Sequence, residues 1–115
     1  MIRLKRAYDK PSPQDGVRFL VDALWPRGLT KAGLKIHSWL KEAAPSRDLR
    51  QWFGHDPQKW GEFRKRYFAE LDKHPESWAG LREAAGKGTV TLVYGARDTE
   101  HNNAVALADY LRSRT

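Results

Sequence analysis

The chain has 115 residues, of which 40% are hydrophobic and 11% aromatic, enough for one core in a single domain spanning residues 1–115. It has no Cys, which excludes a disulfide framework, a thiolate metal centre and a cysteine nucleophile. Lys and Arg total 21 against 14 Asp and Glu, and the net charge of +7 favours acidic partners without choosing among metabolites, nucleotides and nucleic acid.

The first residues, Met1-Ile2-Arg3-Leu4-Lys5-Arg6, lack the apolar stretch of a signal peptide. No run approaches membrane-spanning length, so a cytoplasmic protein without membrane contact is expected. Residues 2–8 alternate weakly, with Ile2 and Leu4 against Arg3 and Lys5, and predict a strand with one wet face. Residues 9–16 hold two prolines, two Asp and a Gly, and read as a loop. Residues 17–24 contain the run Phe19-Leu20-Val21, the mark of a strand covered on both faces. Pro26 and Gly28 stop it.

Helical spacing follows at Ile36, Trp39, Leu40 and Ala43, closed by Pro45. Ser46 is a good N-cap for a short helix that Gly54 ends. Asp56-Pro57 reads as the cap and first position of a longer helix with Trp60, Phe63, Tyr67 and Leu71 on one stripe. Trp78, Leu81 and Ala85 mark another helix. Residues 90–94 form the last strand, and Ala104, Leu107, Ala108 and Leu111 the last helix.

The expected fold is a small, three-layer-like α/β domain. Its mostly parallel, three-stranded sheet has strands near residues 2–8, 17–24 and 90–94, covered by about five helices. The strands at 17–24 and 90–94 are separated by helices and should run parallel. The direction of the first strand stays open, because the loop after it is short for a parallel crossover.

Parallel strands bring their carboxyl ends to one edge, where open α/β sheets bind ligands. Asp22, Trp25 and Arg27 follow one strand; Tyr94, Gly95, Arg97, Asp98 and His101 follow the other. Asn102 and Asn103 stand where the last helix begins, and that end carries a partial positive charge. With Arg27 and Arg97 nearby, a cleft for a small phosphate- or nucleotide-like anion is expected there. His101 is the candidate proton carrier, with Asp22 as the alternative. Asp22 and Asp98 could equally pair with the two arginines and only tie the strand ends together.

No zinc spacing, phosphate-cradling glycine loop, dinucleotide fingerprint or nucleophile elbow is present. No metal centre and no cofactor are expected. Trp52, Phe53 and Trp60, with Trp25, could offer stacking faces for a ring, although such clusters more often pack helices together. Two alternatives stay open: a nucleic-acid-binding basic module, and a non-catalytic stress or interaction protein.

Four segments carry a resemblance. They are Leu20-Val21-Asp22 with Leu24-Trp25-Pro26-Arg27-Gly28; Ala44-Pro45-Ser46 with Leu49-Arg50 and Trp52-Phe53-Gly54-His55-Asp56-Pro57; Trp60, Phe63, Arg64, Tyr67 and Glu70-Leu71; and Thr91-Leu92-Val93-Tyr94 with Ala96-Arg97-Asp98 and His101-Asn102. Together they resemble the small, YeaO-like branch of domain-of-unknown-function family 488 (DUF488), over nearly the whole chain. The resemblance implies a compact α/β domain of bacterial cytoplasm and brings no established activity. Longer relatives carry a Cys-containing segment after the last strand, where this chain has Tyr94-Gly95-Ala96-Arg97-Asp98. Some relatives are labelled transcription regulators, but no helix-turn-helix followed by a basic wing is legible here.

Overall fold

A computed structural model describes residues 1–114. The strands are β1 (Ile2–Arg6), β2 (Val17–Leu20), β3 (Ser38–Trp39) and β4 (Val90–Tyr94). The helices are α1 (Lys31–Leu34), α2 (Arg47–Phe53), α3 (Trp60–Lys73), α4 (Ala79–Lys87) and α5 (Asn103–Ser113). The strands form one sheet in the order β1-β4-β2-β3, and every neighbouring pair is parallel. The α/β class and the parallel sheet are as expected, with four strands in place of three.

The direction of β1 is now settled. β4 lies between β1 and β2, so the loop after β1 does not join neighbours. It crosses the sheet instead, held by Arg3 Nη1 to Gln14 O at 2.6 Å and by Thr91 Oγ1 to Asp15 O at 2.7 Å. β1 ends at Arg6, short of residue 8, although Ala7 N still donates to Tyr94 O at 2.6 Å. β2 ends at Leu20, short of residue 24, and one further bond runs from Val21 N to Val93 O at 3.1 Å.

The helix expected from Ile36, Trp39, Leu40 and Ala43 is absent. Its place holds β3 and a 3-10 turn at Lys41–Ala43. His37 N donates to Arg18 O at 2.7 Å and Leu40 N to Leu20 O at 2.8 Å, so the segment completes the ladder beside β2. The apolar residues are divided between two cores. Ile36 and Trp39 join the small cluster of Ala7, Leu20, Leu34 and Val93, whereas Leu40 and Ala43 join the large one. Adjacent residues on opposite faces are a strand's geometry, and a helical stripe would have kept them together.

The large core lies on one face of the sheet, formed by Phe19, Val90, Leu92 and Tyr94 against α2, α3, α4 and α5. The caps that define these helices were readable. Ser46 Oγ accepts Leu49 N at 3.2 Å to start α2, and Gly54 ends it at φ 54°. Asp56 opens the 3-10 turn Pro57–Lys59 that leads into α3. The stripe of Phe63, Tyr67 and Leu71 is buried, and the Tyr67 hydroxyl donates to Ala43 O. The opposite face is covered more thinly, by the β1–β2 loop and by α1 with its flanking residues.

Candidate functional site

β2 and β4 pair in parallel from Val17↔Val90 to Leu20↔Val93, so both chains leave the sheet at one edge. A cleft of about 360 Å³ opens there, a volume in the range of small-molecule sites. Residues 22–26 line one side after β2, and Gly95 and Ala96 another after β4. Asn102 and Asn103 come from the start of α5; Arg50, Phe53 and His55 from the end of α2; Phe63 from α3; and Pro45 precedes α2.

Asp22 is the acid of the cleft. Its Oδ2 accepts the Gly95 N–H at 2.8 Å. A Cβ at Gly95 would stand 3.2 Å from that oxygen, so a side chain would crowd the bond. Burial raises the Asp22 carboxyl above its usual range, opposed by the Gly95 N–H, the Asn103 amide and the nearby charges of His55 and Arg50. Asn103 Nδ2 donates to Val21 O at 2.9 Å, which pins the start of α5 to the end of β2.

The loop between β4 and α5 is organised by Asp98 and Asn102. Asp98 Oδ1 accepts the N–H groups of Glu100 at 2.9 Å and His101 at 3.0 Å. Those two N–H groups, outweighing the effect of burial and joined by the His101 ring, hold the Asp98 carboxyl below its ordinary value. Asn102 is the N-cap: its Oδ1 accepts Val105 N at 2.9 Å and its Nδ2 donates to Asp98 O at 2.9 Å. Its side chain is buried, so both bonds lack competition from water. Asn102→Ala is expected to cost roughly 1–2 kcal/mol in urea unfolding; a loss below about 0.5 kcal/mol would show that the cap contributes little.

Sequence comparison decides the family. The chain matches the family described as "Inactive DUF488-N3 subclade" over residues 1–115. The chain belongs to the DUF488 family. It is 44% identical over 112 residues to the uncharacterised protein YeaO of Escherichia coli (strain K12), covering 97% of each chain. It is 38% identical over 113 residues to an uncharacterised protein of Mycobacterium tuberculosis (strain ATCC 25618 / H37Rv), covering 98% of this chain and 95% of the other. No solved structure matches it.

In this DUF488 chain the cleft gathers Asp22, Trp25, Gly95, Asn102 and Asn103 from the sequence-derived set. Arg27 and Arg97 are exposed and do not line it. Among the described residues neither guanidinium has an acid within ion-pair distance. Asp22 and Asp98 therefore do not pair with these two arginines. Tyr94 is buried beneath the edge, and burial raises its phenol. His101 lies beside the cleft, with Nδ1 3.0 Å from Asp98 Oδ2 and its ring edge-on to Trp60 at 5.5 Å.

Of the rings named as stacking candidates, Trp25 lines the cleft. Its Nε1 donates to Leu29 O at 2.7 Å, and its ring meets Trp39 edge-on at 5.3 Å. Trp60 packs on Phe63 at 5.6 Å, within the helix contacts. Trp52 has Arg66 at 4.2 Å and Lys59 at 5.1 Å from its ring centre, so two cations of its own chain already attend it. Among the described residues no cluster of three His, Cys, Asp or Glu is placed to hold a metal, and no helix is long and apolar enough to cross a membrane.

Arg50 and His55 belong to the cleft and escaped the reading of strand ends. Arg50 Nη1 donates to Pro45 O at 3.0 Å, and among the described residues no carboxylate lies within ion-pair distance of it. His55 follows Gly54, and both are left-handed, at φ 57° and 54°. A non-glycine residue in that region is uncommon and is tolerated where tertiary structure enforces it. The Gly54-His55 pair turns the chain so that Phe53 stacks on Phe63 at 4.2 Å. The one local signal was this helix-ending Gly followed by His; nothing in it says which strand edge α2 will meet.

Proposed function

We propose that the cleft binds a small anionic molecule, phosphate-bearing or nucleotide-like, with Arg50 as its main anion contact. The observation that carries this reading is an arginine in a cleft of mostly apolar walls, with no acid within ion-pair distance among the described residues and with one main-chain bond of its own. A guanidinium has five donors, so most of its fork is available to an anion. Phe53, Phe63, Pro26, Pro45 and Trp25 supply flat apolar walls for the rest of the ligand. His55 adds an imidazole with ring nitrogens for hydrogen bonding.

The reading is of binding rather than chemistry, in a cytoplasmic protein. It is supported by the word "inactive" in the description of the matching family. His101, the sequence-derived proton carrier, then serves to order the β4–α5 loop through Asp98.

Titration calorimetry with ribose 5-phosphate and nucleoside monophosphates tests the reading. Arg50→Ala is expected to weaken binding roughly 10- to 100-fold, the worth of a charge-assisted hydrogen bond. Arg50→Lys should recover only part, because it keeps the charge and loses the fork. Unchanged affinity in a folded Arg50→Ala protein would end the proposal. Binding of mixed-sequence DNA or RNA with a steep salt dependence would point instead to the exposed Arg27 and Arg97 as contacts for a nucleic acid.

A further inference from the structure

Asp22 shares the cleft with Arg50, and an acid is an odd companion for an anion pocket. Its position is firmly set. The Gly95 N–H holds Oδ2 at 2.8 Å, and the Trp39 indole donates to Asp22 O at 2.7 Å. An ionised carboxylate has about four acceptor sites, and Gly95 with the neighbouring Asn103 amide leave at least two for a ligand. Burial has removed much of the water that would otherwise fill them. A ligand that offers donors there gains more than it would in water, and one that offers acceptors is repelled.

Two oxygens side by side call for two donors side by side. Among the common bases guanine alone places a ring N–H next to an exocyclic amino group. Adenine and cytosine put an acceptor nitrogen beside the amino group, and uracil flanks its one N–H with two carbonyls. The walls of Trp25, Phe53 and Phe63 suit a flat ring, and Arg50 suits a phosphate attached to it. We infer that the cleft takes a guanine-type nucleotide, with Asp22 accepting the adjacent imino and amino hydrogens and Arg50 holding the phosphate. This rests on the anion reading of the same cleft and adds the identity of the base and the residue that selects it.

The experiment compares GMP, IMP, AMP and ribose 5-phosphate by calorimetry on the wild type, Asp22→Asn and Arg50→Ala. The wild type is expected to prefer GMP over AMP by about tenfold or more, the worth of one bidentate base contact. IMP, which lacks the amino group, should fall between them. Asp22→Asn can still accept the Gly95 N–H through its carbonyl oxygen, but it turns an amide donor toward the base. It should bring the GMP-to-AMP ratio close to one without weakening ribose 5-phosphate, because a negative charge beside Arg50 is removed.

Arg50→Ala should weaken all four ligands and preserve the ratio. Equal binding of GMP and AMP by the wild type, or an intact ratio in Asp22→Asn, overturns the inference. If the ratio is one while Arg50→Ala still weakens ribose 5-phosphate, the anion reading stands and the base assignment falls. If none of the four binds at millimolar concentration, both fall. The wild-type ranking needs no variant, so a poorly folded Asp22→Asn protein leaves the test decisive.

Discussion

Gly16→Ala should destabilise the fold severely. Gly16 sits at φ 63°, and a Cβ built on it would lie 2.1 Å from the carbonyl oxygen of Thr89 and 2.8 Å from its carbon. Both are main-chain atoms, so no side-chain rotation relieves the overlap. The same Thr89 oxygen accepts Val17 N at 3.0 Å, the bond that begins the β2–β4 pairing. Moving Thr89 away therefore breaks the register that brings Asp22 to Gly95. An alanine forced into φ 63° and ψ −136° costs roughly 1–3 kcal/mol, and the enforced shift adds about 1–3 kcal/mol. The sum approaches the lower end of the 5–15 kcal/mol that holds an ordinary domain together. Circular dichroism and a thermal melt check it: a melting temperature within about 3 °C of wild type would show that the strand ends yield easily.

Asp15→Asn should be comparably damaging, for an electrostatic reason. Asp15 has 0% exposure and Arg18 only 5%. Arg18 Nη1 donates to Asp15 Oδ2 at 2.7 Å, Lys5 Nζ to Oδ1 at 3.1 Å, and Ser12 N to Oδ2 at 3.0 Å. Arg18 also donates to Leu34 O at 2.9 Å and 3.2 Å. One carboxylate thus ties the β1–β2 loop to β1, to β2 and, through Arg18, to α1. Removing its charge strands a buried guanidinium, at a cost of about 3–5 kcal/mol.

Burial by itself would raise the Asp15 carboxyl. The Ser12 N–H, Lys5 and Arg18 outweigh it and hold the group below the usual carboxylate range. The depressed group contributes stability above its unfolded pKa of about 3.9 and loses it as pH falls through the lower folded value. The stability gap between wild type and Asp15→Asn should therefore be full at pH 7 and narrow below about pH 4. Urea unfolding at both pH values measures it. A gap that stays constant would mean that packing, and not charge, is what the substitution damages. Replacing Arg18 together with Asp15 by apolar residues should recover much of the loss, because the buried charge is then absent from both sides.

Local residues settled much of this protein. Ser46, Gly54 and Asp56-Pro57 place the ends of α2 and the approach to α3 through hydrogen bonds that span only a few residues. The stripe Phe63, Tyr67, Leu71 is a property of one helix. The apolar runs of β2 and β4 announce strands covered on both faces, and their parallel pairing follows from the helices between them. From these the edge that carries the cleft was legible, along with Asp22, Gly95, Asn102 and Asn103.

Tertiary structure decided the rest. Ile36, Trp39, Leu40 and Ala43 have helical spacing, yet a free ladder edge on β2 and two separate cores were available to them. Hydrogen bonds to a distant strand overrode the local period. Arg27 and Arg97 follow the right strands, but loop direction is set by contacts such as Tyr8 Oη to Arg27 O at 2.9 Å, and the side chains are left in solvent. Arg50 and His55 enter the cleft because α2 packs on α3, and α3 on α5, across the sheet. Sequence periodicity records which face of an element is buried. It holds no term for which other element covers that face, and the identity of the charges in the cleft depends on that.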